Sequence, residues 1–519
     1  MLQKTLIVFA LFQLSLSYSA TYYVDPVTGS MTNPGTSVSP WSTLEQVLNT
    51  QSFNSGDIII CRDGNHGFPK VNGVNTNFVT IQAEIGQTPI CTRIYFGSTS
   101  AASYWKISGF TFELINTAPF PYRLVDIFAN CDHITIENCT IQSIANPSSW
   151  TRDDWRTKTC SGIWARGNNH ILQNNTIRNI QIGIINDADS SLCNYNTIQN
   201  FAIDGIRGNA NNSQYTENTI MDNIIVYTYA ENHYDGFQAF SNDTIRNVVF
   251  NKNTIICATD TTRQFRGSMQ GMGCFDGFYE NWIIENNLII TDHWHGITLL
   301  GAINCKIINN TVIDNYDITP VDPLDPQSNP VYGPAWIKIT AHKNGSPSSG
   351  NFIYNNICNA MQNDNGIGTV NNNLIIPTST DYINHFVDAP SLDFHLISTS
   401  SAIDAGTNSF APIVDVEGTL RPQGSSIDIG SYEFLVTSTT ETIDHSISSF
   451  AKIKYGEIKV QIEFDIEPTE IEIFNSIGEM VKSFNSTKTI SIDQNDFSKG
   501  IYYVKCTIQG ENFVIKIAL

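Results

Sequence analysis

The 519-residue chain carries 28 Lys and Arg against 49 Asp and Glu, a formal net charge of −21 with a sequence pI near 4.7. So acidic a chain has no basic face with which to displace condensed counterions, which excludes nucleic acid as a partner; a polyanionic carbohydrate would need a local basic cluster or a bridging cation. The eleven cysteines are odd in number and form no CxxC pair, which argues against a zinc site. Cys139, Cys257 and Cys358, within or near regularly repeated segments, read as small buried hydrophobes.

In chain order, Lys4, an apolar run over residues 6–16 and the small residues Ser17, Ser19 and Ala20 predict a secretory signal peptide over 1–20. That run is too short to span a bilayer, and no later stretch is long enough, so no transmembrane segment is expected. Residues 21–78 predict a cap with the first coils. Within it, Ser42 and Glu45 have capping-box spacing for a short amphipathic helix, and Ile58 to Ile60 with Asp63-Gly64 read as a strand and turn.

From about residue 79 an asparagine recurs at one phase: Asn175, Asn196, Asn218, Asn253, Asn287, Asn310, Asn356 and Asn373, with Cys139 holding the same phase one turn earlier. The shortest regular steps are 21, 22 and 23 residues, the others resembling that period plus an insertion. A fixed period of this length marks a solenoid, and the β-branched flanks make its elements strands. Asparagines at a bend can stack amide on amide, as in cross-β ladders. The expected fold is all-β, a right-handed parallel β-helix over 79–434, with a linker over 435–449 and a small β-sandwich over 450–519. The sandwich follows from alternating strands around Ile458 to Phe464, Ile471 to Phe474, Thr489 to Ile492, Ile501 to Val504 and Phe513 to Ile517.

The opening (Thr21 to Pro26, then Pro40-Trp41) and the closing segments Asp393 to Leu396, Ala402 to Gly406, Gly418 to Pro422 and Asp428 to Gly430 resemble the pectate-lyase-like β-helix superfamily. Gly500 to Val504, with the terminal strand around Lys516, resembles the carboxy-terminal sorting domain of type IX secretion substrates. That second resemblance implies the type IX machinery as a partner and a secreted or surface-attached protein. A generic carbohydrate-binding sandwich is the other reading of the tail. A monomer is expected.

A Gly-Ile-like marker precedes the asparagines: Gly162, Gly183, Gly205, Gly236, Gly273 and Gly296, then Trp336. From asparagine to marker takes 8, 9 and 9 residues in plain coils but 23, 18, 20 and 26 in others, so most inserted length leaves the solenoid at one corner. Insertions on one face of a repeat array commonly build its binding face. The resulting wall contains Trp150, Arg152, Trp155, Arg156, Tyr227, Tyr229, Arg263, Arg266 and Tyr332. Of these, Trp155, Tyr229, Arg263 and Arg266 are candidates to bind sugar. Aligned on the marker, Asp204, Asp235 and His295 share one position; Arg207, Gln238, Thr298 and Lys338 share another. Alternation turns both positions outward, with His233, His293 and Asp276 nearby.

Such a cluster suits cleavage of an acidic polysaccharide. In β-elimination Lys338 or His295 is the base and Arg207 with Gln238 clamps a uronate carboxylate. Asp204 and Asp235 are then a calcium site or partners for histidine, His233 included. The β-helix resemblance favours this lyase class. Glycoside hydrolysis by Asp204 and Asp235, with Asp276 extending the reach, is the alternative. A non-catalytic adhesin is the third, since fold does not fix function.

Overall fold

The structure is a computed structural model. It describes residues 19–114, 123–228, 232–259, 264–314, 334–363, 368–435 and, nearer the C-terminus, 451–455, 459–464, 467–475, 480–493, 497, 501–508 and 511–518. The signal-peptide expectation and most of the linker lie outside these residues. Two compact units divide the chain, Met1–Val436 and Thr437–Leu519.

The first unit is a parallel β-helix. Each coil supplies two or three strands, as few as two where no insertion interrupts them, and these pair in parallel with their counterparts one coil on. In one row the residue after the ladder asparagine stays in register: Thr140 pairs with Thr176, then Thr197, Thr219, Thr254, Leu288 and Thr311. The next residue in each coil points inward, so Ile177, Ile198, Ile220, Ile255 and Ile289 stack with no exposure. Burial of each is worth about 2 kcal/mol. Parallel pairing begins at Thr21–Val24 against Ile58–Cys61, and ends at Leu374–Ile375. Phe386–Asp388 and Asp393–Leu396 instead form a separate antiparallel pair.

The asparagine ladder is present. Asn175 Nδ2 donates to Asn196 Oδ1 (3.0 Å), and the same bond recurs from Asn196 to Asn218, Asn218 to Asn253, Asn253 to Asn287, Asn287 to Asn310, Asn310 to Asn356 and Asn356 to Asn373. Each Oδ1 also accepts the backbone N–H of the residue one coil earlier, beginning with Cys139 N to Asn175 Oδ1. The residue before each rung is left-handed, as at Asn174, Tyr195, Glu217 and Lys252, which turns the chain sharply between two strands.

Glycine marks the opposite corner. A Cβ on Gly162, Gly183, Gly205, Gly236, Gly271 or Gly296 would collide with backbone of the next coil and with an inward isoleucine or valine. This series corrects the sequence alignment: the corner glycine of the fifth coil is Gly271, not Gly273. All eleven cysteines are buried free thiols.

The capping helix is Leu44–Thr50, and its cap is Thr43, whose hydroxyl accepts from Gln46 N, not Ser42. At the far end Arg421 and Glu433 form a fully buried ion pair at 2.8 Å. Asn286 and Asn309 reach from the ladder-side turns to carbonyls of Val414, Asp428 and Gly430, tying the closing segment to the coils.

The second unit has a three-stranded antiparallel sheet (Ala451–Tyr455, Lys459–Phe464, Thr489–Asp493) and a four-stranded one (Met480–Phe484, Glu470–Asn475, Ile501–Ile508, Glu511–Ala518). Ile462, Phe464, Ile471, Ile473, Ile490, Ile492 and Val504 form its core, as strict alternation predicts.

Candidate active site

The insertions do leave at one corner, between the ladder-side strand and the marker strand. The first contains the helix Arg152–Lys158, held by a capping box of Thr151 and Asp154. Its Trp155 is 4% exposed and packs with Trp150, Ala202, Ile224 and Val226. That corrects its expected role: the indole fastens the wall to the coil and offers no face to a sugar. Arg266 is buried too, at 8% exposure, so it does not line a groove. Tyr229, Arg263 and Tyr332 lie outside the described residues.

The marker strands carry two rows. In the upper row, register runs from Asp126 to Trp164, Ile185, Arg207 and Gln238, then Gly273, Thr298 and Lys338. Arg207 and Gln238 are therefore adjacent as expected, but a glycine separates Gln238 from Thr298. In the lower row Asp204 pairs with Asp235, and Asp235 with Gln270. The sequence alignment missed Gln270 because Gln270-Gly-Met-Gly273 offers two glycines of the same strand parity.

The rows differ in exposure. Asp204 and Asp235 have none, contrary to the outward placement expected for them, whereas Arg207 keeps 24% of its side chain exposed. Asp204 Oδ2 accepts from Arg207 Nε at 2.5 Å, and Asp204 Oδ1 accepts from the Asp235 N–H at 3.2 Å. Asp235 Oδ2 accepts from Gln238 Nε2 at 3.0 Å. Burial pushes both carboxyls up, and for Asp235 the Asp204 charge adds to it. Asp204 has the guanidinium and stays ionised, so the proton belongs on Asp235. The buried Asp235 Oδ1 and Gln270 Oε1 accept no hydrogen bond among the described residues, and both lie against Gly273. Asp235 Oδ1, which accepts nothing among the described residues, is the oxygen free to carry that proton. A Cβ at Gly273 would strike the Asp235 carboxylate and the Phe275 ring, so the glycine is required there.

Calcium takes six to eight oxygen ligands. Both oxygens of Asp204 are already engaged, and no group of three or more His, Cys, Asp or Glu able to hold a metal occurs among the described residues. For Asp204 and Asp235 to bind calcium, Arg207 would have to let go.

His295 lies at the other end. Its Nδ1 is 2.9 Å from Thr298 Oγ1, which also accepts from Trp336 Nε1 at 3.0 Å. Its backbone N–H donates to His293 Nδ1 at 3.1 Å. Phe275 and Trp336 meet its ring edge to face, with centroids at 4.8 and 5.2 Å. Burial, with the Lys338 and His233 charges, pushes the His295 pKa down to about 3, so the imidazole is neutral. Lys338 Nζ rests 4.8 Å above the Trp336 ring. His233 is exposed and close enough to Asp204, Asp276 and Lys343 to feel each charge, while Asp276 is exposed and paired with Lys343 at 2.6 Å. The structure thus brings Asp204, Asp235, Arg207, Gln238, His233, His295 and Lys338 into one neighbourhood. It adds Gln270, Phe275 and Trp336.

Residues 456–519 match the family described as "Secretion system C-terminal sorting domain". The chain is thus a parallel β-helix carrying a type IX sorting domain, and it is secreted or attached to the cell surface. No helix among the described residues is long and apolar enough to cross a membrane. No curated protein matches the chain significantly. Among solved structures it is similar to the pectate lyase Pel9A, at 15% identity and TM-score 0.40 over 81% of this chain and 97% of that one. It is also similar to XylC in complex with xylose, at 12% identity and TM-score 0.40 over 96% and 100%. A mannuronic acid specific polysaccharide family 6 lyase from human gut microbiota follows, at 11% identity and TM-score 0.36 over 69% and 82%.

Proposed function

We propose that the protein is a secreted carbohydrate-active enzyme that cleaves a uronate-containing polysaccharide by β-elimination. The observation that carries this reading is the division between the two rows. The solvent-touching row offers a guanidinium, an amide and an ammonium in a chain of net charge −21; of the other row the His295 imidazole is partly exposed, while both aspartates are shut away. Hydrolysis needs two carboxyl groups at the glycosidic bond. Here one is tied to Arg207 and the other is fully buried.

Arg207, anchored through Nε, turns its remaining N–H donors to the carboxylate of a sugar three coils, about 14 Å, from His295, as a bidentate clamp does. Gln238 supports it, while Lys338, one coil from Thr298 and so beside His295, neutralises the carboxylate of the residue to be cleaved. Neutralising that carboxylate acidifies the adjacent C5 proton. His295, its Nδ1–H given to Thr298 Oγ1, takes that proton at Nε2. The C5 electron pair forms the C4–C5 double bond and the C4–O4 bond breaks. The departing oxygen receives its proton from the imidazolium just formed, which restores the neutral ring.

Incubation of the full chain with a panel of uronate polysaccharides tests this. The expected result is growth of the ultraviolet band of an unsaturated uronate, abolished by His295→Gln. New reducing ends without that band would replace elimination by hydrolysis. Binding with neither product would make the chain an adhesin.

A further inference from the structure

The upper row holds a second cationic feature, away from the groups just described. Trp164 lies two coils before Arg207, with only the uncharged Ile185 between them. At about 4.8 Å per coil the separation is about 10 Å. One coil step is comparable to the rise of one pyranose residue in an extended chain. Trp164 is clasped on its ring by two arginines, with Arg123 Cζ at 3.5 Å and Arg166 Cζ at 4.1 Å from the centroid. At 3.5 Å a guanidinium can only lie flat on the indole, leaving its N–H edge free to face outward.

Two guanidiniums share one buried carboxylate. Arg166 Nη2 meets Asp126 Oδ1 at 2.5 Å and Arg166 Nε donates to the Ile127 carbonyl at 3.3 Å, whereas Arg123 approaches Asp126 only to 3.7 Å. Asp126 alone needs one partner, so Arg123 is surplus to neutralising it. Asp187 does not take it up. Its oxygens accept from Trp164 Nε1 at 2.6 Å and from Asn209 Nδ2 at 2.9 Å, which fixes the indole edge. The side chains of Arg123 and Arg166 remain 33% and 24% exposed. Nε and Nη2 of Arg123 meet no acceptor among the described residues.

We infer that Arg123 and Arg166, splinted by Trp164, form a distal subsite for a sugar carboxylate about two residues along the chain from the one held at Arg207. With Arg123 and Arg166 lying over its ring, the indole orients the two forks. This subsite rests on the proposed acidic-polysaccharide reading, but it concerns binding and not the bond broken.

The test is calorimetric titration of the full chain with saturated uronate oligosaccharides of increasing length and with their carboxyl-reduced, neutral counterparts. Wild type and Arg123→Ala are compared, with Trp164→Phe as a second variant and thermal melting as the control for folding. Wild-type affinity should rise about tenfold once the oligomer spans from Arg207 to Trp164, as gaining one charge-assisted contact allows. That step should vanish in Arg123→Ala and with carboxyl-reduced chains, while short oligomers bind both proteins alike. The subsite is overturned if Arg123→Ala keeps the step, if neutral chains show it equally, or if wild type shows none. A retained step with no unsaturated product would sink only the elimination chemistry.

Discussion

Arg207 Nε and Asp204 Oδ2 meet at 2.5 Å across three residues of one strand, with the carboxylate fully buried and the guanidinium partly in water. The pair is therefore asymmetric. Losing Asp204 leaves a cation that can hydrate, whereas losing Arg207 strands an anion in the interior. Arg207→Ala should cost about 3 kcal/mol or more in urea unfolding at neutral pH. Without its cation, Asp204 holds its proton above the unfolded-state value. The variant's deficit then grows as pH rises through that value and shrinks toward acid. A deficit independent of pH would contradict this assignment of charge.

Asp235 already carries a proton in the folded state, its carboxyl raised by burial and by the Asp204 charge. The unfolded chain releases that proton above the ordinary carboxylate range, so the native group weakens the fold as pH rises. Asp235→Asn keeps the shape and removes the titration. Its urea midpoint should equal or exceed wild type at neutral pH, with the advantage widening toward alkaline pH.

The proposed base is neutral down to about pH 3. The value of kcat/KM reports the free enzyme. Its acid limb should therefore appear only near pH 3–4 and not near the usual histidine value. His295→Gln should remove turnover at every pH. An acid limb near pH 6–7 would assign the titration to a different group.

Interior ladder rungs should matter more than the last one. Asn253→Ala removes the acceptor of Asn218 N and of one Asn218 Nδ2 hydrogen, the other still bonding the Cys193 carbonyl, and leaves two buried N–H groups unmatched. The expected loss is about 3 kcal/mol. Asn373 is only half-buried, so Asn373→Ala should cost less, about 1 kcal/mol. Equal losses at the two positions would count against a load shared along the stack.

His170 is buried. Its Nδ1 accepts from Ile134 N at 3.1 Å and its Nε2 donates to the Arg166 carbonyl at 2.9 Å. Burial pushes its pKa down to about 4, so the unfolded state binds the proton first. Stability from this residue is complete above the unfolded histidine value and drains away as pH falls from about 6.5 toward 4. Chemical denaturation across that window should show the slope, and His170→Asn should flatten it.

The coils were legible in the sequence because one residue type, asparagine, does one job at one phase, and its spacing survives insertions. The insertion corner and the Arg207–Gln238 adjacency followed from the same count. Burial was less legible: strand parity says which way Asp204 points, not whether a neighbouring coil and wall close over it. Parity also failed to separate Gly271 from Gly273, since both keep the alternation and only the collision with the next coil decides between them. Trp164 sat two residues after a recognised marker, in phase with Arg207, and could have been found. Arg123 could not, because its coil has no marker glycine and the contact is made through the indole. Trp155 misled because an aromatic in an insertion packs a loop as readily as it stacks on a ligand.

The glycine corner has a consequence for how such a molecule can change. Because no side chain fits there, the entry to each marker strand is fixed, and the rows downstream keep their register whatever precedes them. The wall segments are therefore interchangeable parts. Residues 143–160 could be exchanged for a segment of different length and composition, redrawing what the groove admits, without moving Arg207, Gln238 or His295.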